Sequence, residues 1–165
     1  MVGGADLSAG QQALANAFAQ RTAFTNKYSA NLTLDQFVDA VLGTIQAADS
    51  VDLSSQRTAL IALGSRGAVL YRLANDDLAG GNGGINNRAF IDAEYDRAFV
   101  YSQYAGYLHR DADIGGFLFW LGQVNSAPLR DTTKQHAMVC SFITSAEYQK
   151  RFGSVVTHTN AECPQ

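Results

Sequence analysis

Proline is nearly missing from this chain: its 165 residues hold two, alongside one tryptophan and two cysteines. Charge is scarce as well. Asp, Glu, Lys and Arg make up 16% of the residues, against a usual share of about 25%. Twelve basic against fifteen acidic side chains leave a net charge of −3 with no basic stripe, which argues against a nucleic-acid groove. No apolar run approaches the ~20 residues of a membrane span. The apolar share, 47%, argues against disorder. A chain of this length buries about 70% of its unfolded surface and needs no metal or disulfide staple to fold.

Catalytic signatures are missing too. There is no Gly-x-Ser-x-Gly elbow, no His-Glu-x-x-His helix and no Cys-x-x-Cys pair. His109, His136 and His158 are far apart, and none has an obvious carboxylate partner. His136 and Cys140 share a helix face, but the apolar surroundings of Cys140 raise a thiol's pKa rather than lower it. Gly80, Gly81, Gly83 and Gly84 precede no Gly-Lys-Ser/Thr and follow no strand. They read as a loose connection within 79–87, a hinge rather than a phosphate loop.

What is present is helix. Leu7–Tyr28 reads as a first helix. Thr33-Leu34-Asp35-Gln36 is a capping box that opens a helix with Leu34, Phe37, Val38, Val41, Leu42 and Ile45 on one stripe. Its Thr33 also completes Asn31-Leu32-Thr33, a glycosylation pattern that the capping role explains better. Asp52 or Ser54 caps a third helix that stops at Gly64, and Val69, Leu70 and Leu73 mark a fourth. Arg88–Leu108 is the longest periodic segment. Ile114–Gln123 follows, then a helix from Asp131 or Thr132 to Ile143, then a short one from Ser145 that Gly153 ends. With no convincing strand, the expectation is an all-α bundle of six to eight helices. The expected organisation is one domain over 1–165: an N-terminal helix region to 30, a core over 31–153 and a polar tail over 154–165.

Asp111 and Asp113, with glycines following, resemble the start of a calcium loop. Counting from Asp111, Gly115 and Gly122 occupy positions that need oxygen ligands, so the EF-hand reading fails. The physical alternative makes Asp113 the cap of the next helix. Arg110 then pairs with it across the turn, and Gly116 lets the helix lie close to its neighbour. Asp111 and Asp113 remain weak metal candidates only; no cofactor is expected.

Eight aromatic residues fall between Tyr95 and Trp120. Core packing accounts for the set as a whole, with Tyr101, Tyr104 and Tyr107 kept as a candidate interaction surface. Cys140 lies in an apolar helical stretch and Cys163 in the tail. A disulfide between them, or a buried thiol plus an exposed one, both fit.

The motif order then becomes recognisable: Phe99-Val100, Gln103-Tyr104, Tyr107-Leu108, Arg110, Asp113, Gly116, Phe119-Trp120, Ser145-Ala146-Glu147-Tyr148 and Arg151-Phe152-Gly153. It resembles the bacterial domain-of-unknown-function family 4214, whose pattern runs F-V-x-x-x-Y-x-x-x-L-x-R, then Asp, Gly and Trp, then a helix with S-x-E-[FY]. Many members carry Leu-Gly-Arg where this chain has Leu108-His109-Arg110, and Pro where it has Ala112. Arg110, Asp113, Gly116, Trp120, Ser145 and Glu147 are the structural motif residues that the resemblance assigns.

The resemblance implies a helical module of secreted or cell-surface bacterial proteins, with no catalytic residues. That setting is oxidising and favours the Cys140–Cys163 bridge. Met1–Gly10 lacks the pattern of a signal peptide, so a mature form or an excised fragment is expected. A more distant similarity is to phycobilisome linker domains, through Phe142, Ser145 and Tyr148; those are assembly scaffolds. The expected function is a non-catalytic interaction or assembly module, with a protein partner or self-association. The alternative is an extracellular glycan- or calcium-binding module.

Overall fold

The computed structural model describes residues 4–75, 86–153 and 163. Among them it is all-α, with nine α-helices and no strand. The chain divides into two compact units, Met1–Ala93 and Glu94–Gln165.

The first unit opens with α1 (Gly4–Phe18) and α2 (Thr22–Lys27). One continuous helix was expected here. Instead the chain turns through Ala19–Arg21, where Gln20 and Arg21 donate to the carbonyls of Ala17 and Phe18. The turn sets the Phe18 ring 5.2 Å from Phe24. Helix α3 (Leu34–Asp49) starts at the expected capping box: Gln36 N donates to Thr33 Oγ1, and Thr33 N donates to Gln36 Oε1. Asp52 accepts from Ser54 N at the mouth of a 3-10 turn. That turn leads into α4 (Arg57–Ile61), and Ser65 caps α5 (Arg66–Ala74). Gly64, at φ 77°, supplies the left-handed residue between them, a conformation that costs glycine little.

The stripe on α3 does what its spacing requires. Phe37, Val38, Val41, Leu42 and Ile45 are buried with Leu53, Leu60, Val69 and Leu73. Arg66 lays its guanidinium 4.8 Å from the Phe37 ring centroid and donates to the carbonyls of Tyr28, Ser29 and Leu32. It thereby satisfies a turn that has no helix to do so. Asn87 is buried and donates to the carbonyls of Arg72, Leu73 and Asn75, and Gln56 accepts from Asn86 N. These contacts fix Asn86 and Asn87, the last two residues of the expected hinge. Its glycines lie outside the described residues.

Helix α6 (Arg88–Leu108) begins in the first unit and continues into the second, where α7 (Ile114–Val124), α8 (Thr132–Ile143) and α9 (Ala146–Phe152) follow. Asp113, Asp131 and Ser145 cap the last three. The core of this unit is Val100, Tyr104, Leu108, Val124, Met138 and Phe142. Phe117, Trp120, Tyr107 and Tyr148 pack against it half-buried. Tyr104 and Trp120 meet Phe142 edge-on at 4.8 and 5.8 Å, geometry that aromatic quadrupoles favour. No described helix is long and apolar enough to cross a membrane.

Candidate functional site

The turn between α6 and α7 is where the motif residues converge. His109 leaves α6 in the left-handed region, φ 47°. L side chains resist that conformation, which fits the glycine that the resembled family pattern often has at this position. The reversal aims Arg110 back across the core. Asp113 caps α7, its Oδ1 accepting from Gly116 N at 2.8 Å. Arg110 Nη1 reaches Asp113 Oδ2 at 3.3 Å and the Asp111 carbonyl at 2.9 Å.

The main partner of Arg110 is Glu147, in the first turn of α9. Nε donates to Oε1 at 2.6 Å and Nη2 to Oε2 at 3.1 Å, a two-bond fork that only a guanidinium can make. Ser145 positions that glutamate by capping α9, accepting from Tyr148 N at 3.1 Å. Arg151 lies 3.8 Å from the same carboxylate. Beneath the fork the Arg110 guanidinium sits 5.0 Å from the Tyr104 ring centroid.

The electrostatics match the geometry. The Arg110 hydrogen bonds hold Glu147 below the ordinary carboxyl range. The Gly116 N–H, then Arg110, do the same for Asp113. Glu147 in turn strengthens the hold of Arg110 on its proton. Burial, then the Asp113 charge, push the Tyr104 hydroxyl up. Both carboxylates are therefore ionised and engaged near neutral pH, and neither is poised to move a proton. The cluster is a clamp that ties the α6–α7 turn to the start of α9.

The two weak metal candidates belong to this network. Tyr101 donates to Asp111 Oδ1 at 2.9 Å, and both Asp113 oxygens accept hydrogen bonds. Among the described residues no group of three or more His, Cys, Asp or Glu is placed to hold a metal ion. The tyrosine surface needs correction. Tyr104 is 3% exposed and Tyr107 half-buried, whereas Tyr101 is 51% exposed. Tyr104 turns inward because Phe142 and the Arg110 guanidinium cover its ring. Tyr107 is drawn onto the core beside Tyr148, 6.4 Å away.

An apolar face does reach solvent, and it lies on α7. Ile114 is 80% exposed, Leu118 59% and Phe119 58%, all on one side of the helix with Gly115 and Gly122. Phe117, Trp120 and Val124 face the core from the other side. Residues 114–124 contain no Asp, Glu, Lys or Arg. Sequence reading assigned the aromatic set, Phe117, Phe119 and Trp120 among it, to the core as a whole. The signal it passed over is that α7 is apolar all round, while a helix in a four-helix unit has one side to bury.

Cys140 and Cys163 form a disulfide, with His136 Nε2 3.6 Å from the Cys140 sulfur. The bridge consumes the thiol that a Cys–His dyad would need. Cys163 is the one described residue of the tail; His158 lies outside the described residues.

Residues 84–152 match the model of the family described as Domain of unknown function (DUF4214). The match covers less than half of the chain. No curated protein and no solved structure matches the chain. The matched stretch contains all of α6 to α9 and thus the whole clamp, and the bridge joins it to Cys163 outside the match.

Proposed function

We propose that the chain is a non-catalytic interaction module of a secreted or cell-surface bacterial protein, and that α7 is its contact element. The exposed α7 face carries this reading. Ile114, Leu118 and Phe119 leave on the order of 400 Å² of apolar surface open, comparable to the largest patch of a typical soluble monomer, ~300–600 Å² and often functional. The face is also preorganised. Asp113 and Arg110 pin the start of α7, and the Phe119 ring rests edge-on against Trp120 at 5.1 Å. A fixed aromatic anchor loses little entropy on binding. The disulfide suits an oxidising compartment, which supports the extracellular setting.

The test is capture. The full chain is immobilised, wild type beside Leu118→Glu, and challenged with an envelope extract of the source organism and with the chain itself. A partner held by the wild type and lost in the variant supports the reading, provided that both melt at the same temperature. Equal capture by both, or none, refutes it.

A further inference from the structure

We propose that Cys140 is a site of thiol–disulfide exchange. A low-molecular-weight thiol opens the Cys140–Cys163 bridge at the Cys140 sulfur, His136 holds the Cys140 thiolate, and Cys163 is the resolving cysteine. The inference does not depend on the α7 face.

Access separates the two sulfurs. Cys140 is half-buried beside the exposed His136, whereas Cys163 is buried. Exchange proceeds by attack of a thiolate on one sulfur of the bridge, and which sulfur is attacked is set by access. An incoming thiolate therefore meets Cys140 first.

Placement supplies the activating group. His136 and Cys140 lie one turn apart on α8, with Nε2 3.6 Å from the sulfur. A bridged sulfur carries no proton, so the ring nitrogen is the donor in this contact. Both residues belong to one helix, so the pair persists when the bridge opens. Residues 132–143 contain no carboxylate to draw the imidazole away. Cys140 sits in the last turn of α8, where the helix dipole works against a thiolate. Support for the thiolate thus falls to His136, and an imidazole beside a partly exposed sulfur is what distinguishes an exchanging cysteine from an inert buried one.

The chemistry balances. A small thiolate attacks the Cys140 sulfur and the Cys140–Cys163 bond breaks. Its electron pair goes to the Cys163 sulfur, which takes a proton from water. Cys140 now carries a mixed disulfide. A second small thiolate attacks the outer sulfur of that bond, and Cys140 leaves as a thiolate that accepts the His136 N–H. One protein disulfide is reduced, and two small thiols are oxidised to one small disulfide. In reverse, the Cys140 thiolate attacks a small disulfide and Cys163 then expels the small thiol. The bridge thereby follows the thiol–disulfide balance around the chain.

Glutathione is the probe. The full, disulfide-bonded chain is incubated with reduced glutathione without denaturant, quenched in acid and mapped by mass. The adduct should lie on Cys140, and the reduced chain should accumulate behind it. His136→Ala, at an exposed helix position, is then compared with wild type after full reduction, with Cys163→Ser in both. The thiolate absorbance of Cys140 near neutral pH should fall by up to about tenfold, the equivalent of one unit of thiol pKa. Alkylation by iodoacetamide should slow less, by about threefold, because the more basic thiolate is the better nucleophile. Matching circular dichroism would show that the variants are folded. An adduct on Cys163 overturns the proposal. So does a bridge that glutathione opens only after urea has unfolded the chain, a measurement on wild type that needs no variant. Thiolate absorbance and alkylation rate unchanged in His136→Ala would equally overturn the part assigned to His136.

Discussion

Arg110 and Glu147 stand 37 residues apart in the chain and meet through two near-parallel hydrogen bonds of 2.6 and 3.1 Å. The pair closes α9 onto the α6–α7 turn. Its side chains are 33% and 40% exposed, so its worth comes from the fork geometry and from the Tyr104 ring below rather than from bare attraction. We expect Arg110→Ala to cost about 1–2 kcal/mol, combining a well-formed ion pair with a stacked cation. Arg110→Lys should recover less than half of that, since an ammonium cannot fork. A double-mutant cycle with Glu147→Gln in urea unfolding measures the coupling, and a coupling near zero would mean that the two residues act separately.

Acid should loosen the same clamp. Glu147 and Asp113 both titrate below their ordinary values, because hydrogen bonds from Arg110 and from Gly116 N–H favour their charged forms. Between those lowered values and the ordinary ones the unfolded chain holds more protons than the native chain. Stability therefore rises with pH through that window. It is fully present above the ordinary carboxyl range and is lost as pH falls through the lowered values. Urea midpoints taken between about pH 6 and pH 2 should fall with acid, with a shallower slope in Glu147→Gln. Equal slopes would place the acid sensitivity elsewhere.

Gly116 is in the motif for room. A Cβ there would collide with the Tyr104 hydroxyl and press on both Asp113 carboxylate oxygens. Tyr104 is buried among packed rings and cannot swing away. Gly116→Ala should thus destabilise by about 1–3 kcal/mol through overpacking. Gly115→Ala, whose nearest contact would be 3.7 Å away, should be neutral or stabilising by up to about 1 kcal/mol as a helix position. Removing the hydroxyl with Tyr104→Phe should restore much of the Gly116→Ala loss, and thermal melting of the three variants decides the matter.

Local features were legible in the sequence because local chemistry sets them. The capping box at Thr33, the cap at Asp113, the helix start at Ser145, the core stripe of α3 and the span of α6 each follow from a few neighbouring residues. The Arg110–Asp113 contact across the turn was legible for the same reason. Its stronger partner, Glu147, could be found only through the family motif, since no local rule links residues 37 positions apart. The break after Phe18 was missed because an Ala- and Gln-rich stretch favours helix, while the ring contact with Phe24 that rewards the break is tertiary. Burial within the aromatic cluster escaped for a related reason. Tyr101 and Tyr104 are three apart on one helix, and which of them turns inward is settled by Phe142 and Arg110 from other elements.

The disulfide should be a stability element of the second unit. Cys140 and Cys163 are 23 residues apart, and closing a loop of that length is worth about 3 kcal/mol in the chain-entropy view. Reduction, or Cys163→Ser with Cys140→Ser, should lower the urea midpoint accordingly while leaving helix content nearly unchanged. If the midpoint does not move, the bridge ties down a tail whose attachment the fold does not need.

Asp96 gives a prediction of opposite sign to the acid effect. It is buried on α6, and its Oδ1 has no hydrogen-bond partner among the described residues. Burial pushes its carboxyl up, and the Arg130 charge pulls it only part of the way back. The native chain therefore holds this proton to higher pH than the unfolded chain does. Stability from this group is greatest in acid and declines as pH rises from the ordinary carboxyl value through the raised one. Asp96→Asn removes the buried charge and should stabilise at neutral pH by up to about 1 kcal/mol, since an uncompensated buried charge costs more than a neutral amide. The gain should fade below the ordinary carboxyl range, where Asp96 is neutral in both states. Melting curves of the two proteins at neutral and acid pH give the comparison. A variant less stable than wild type at neutral pH would show that the attraction of Arg130 outweighs the desolvation of Asp96.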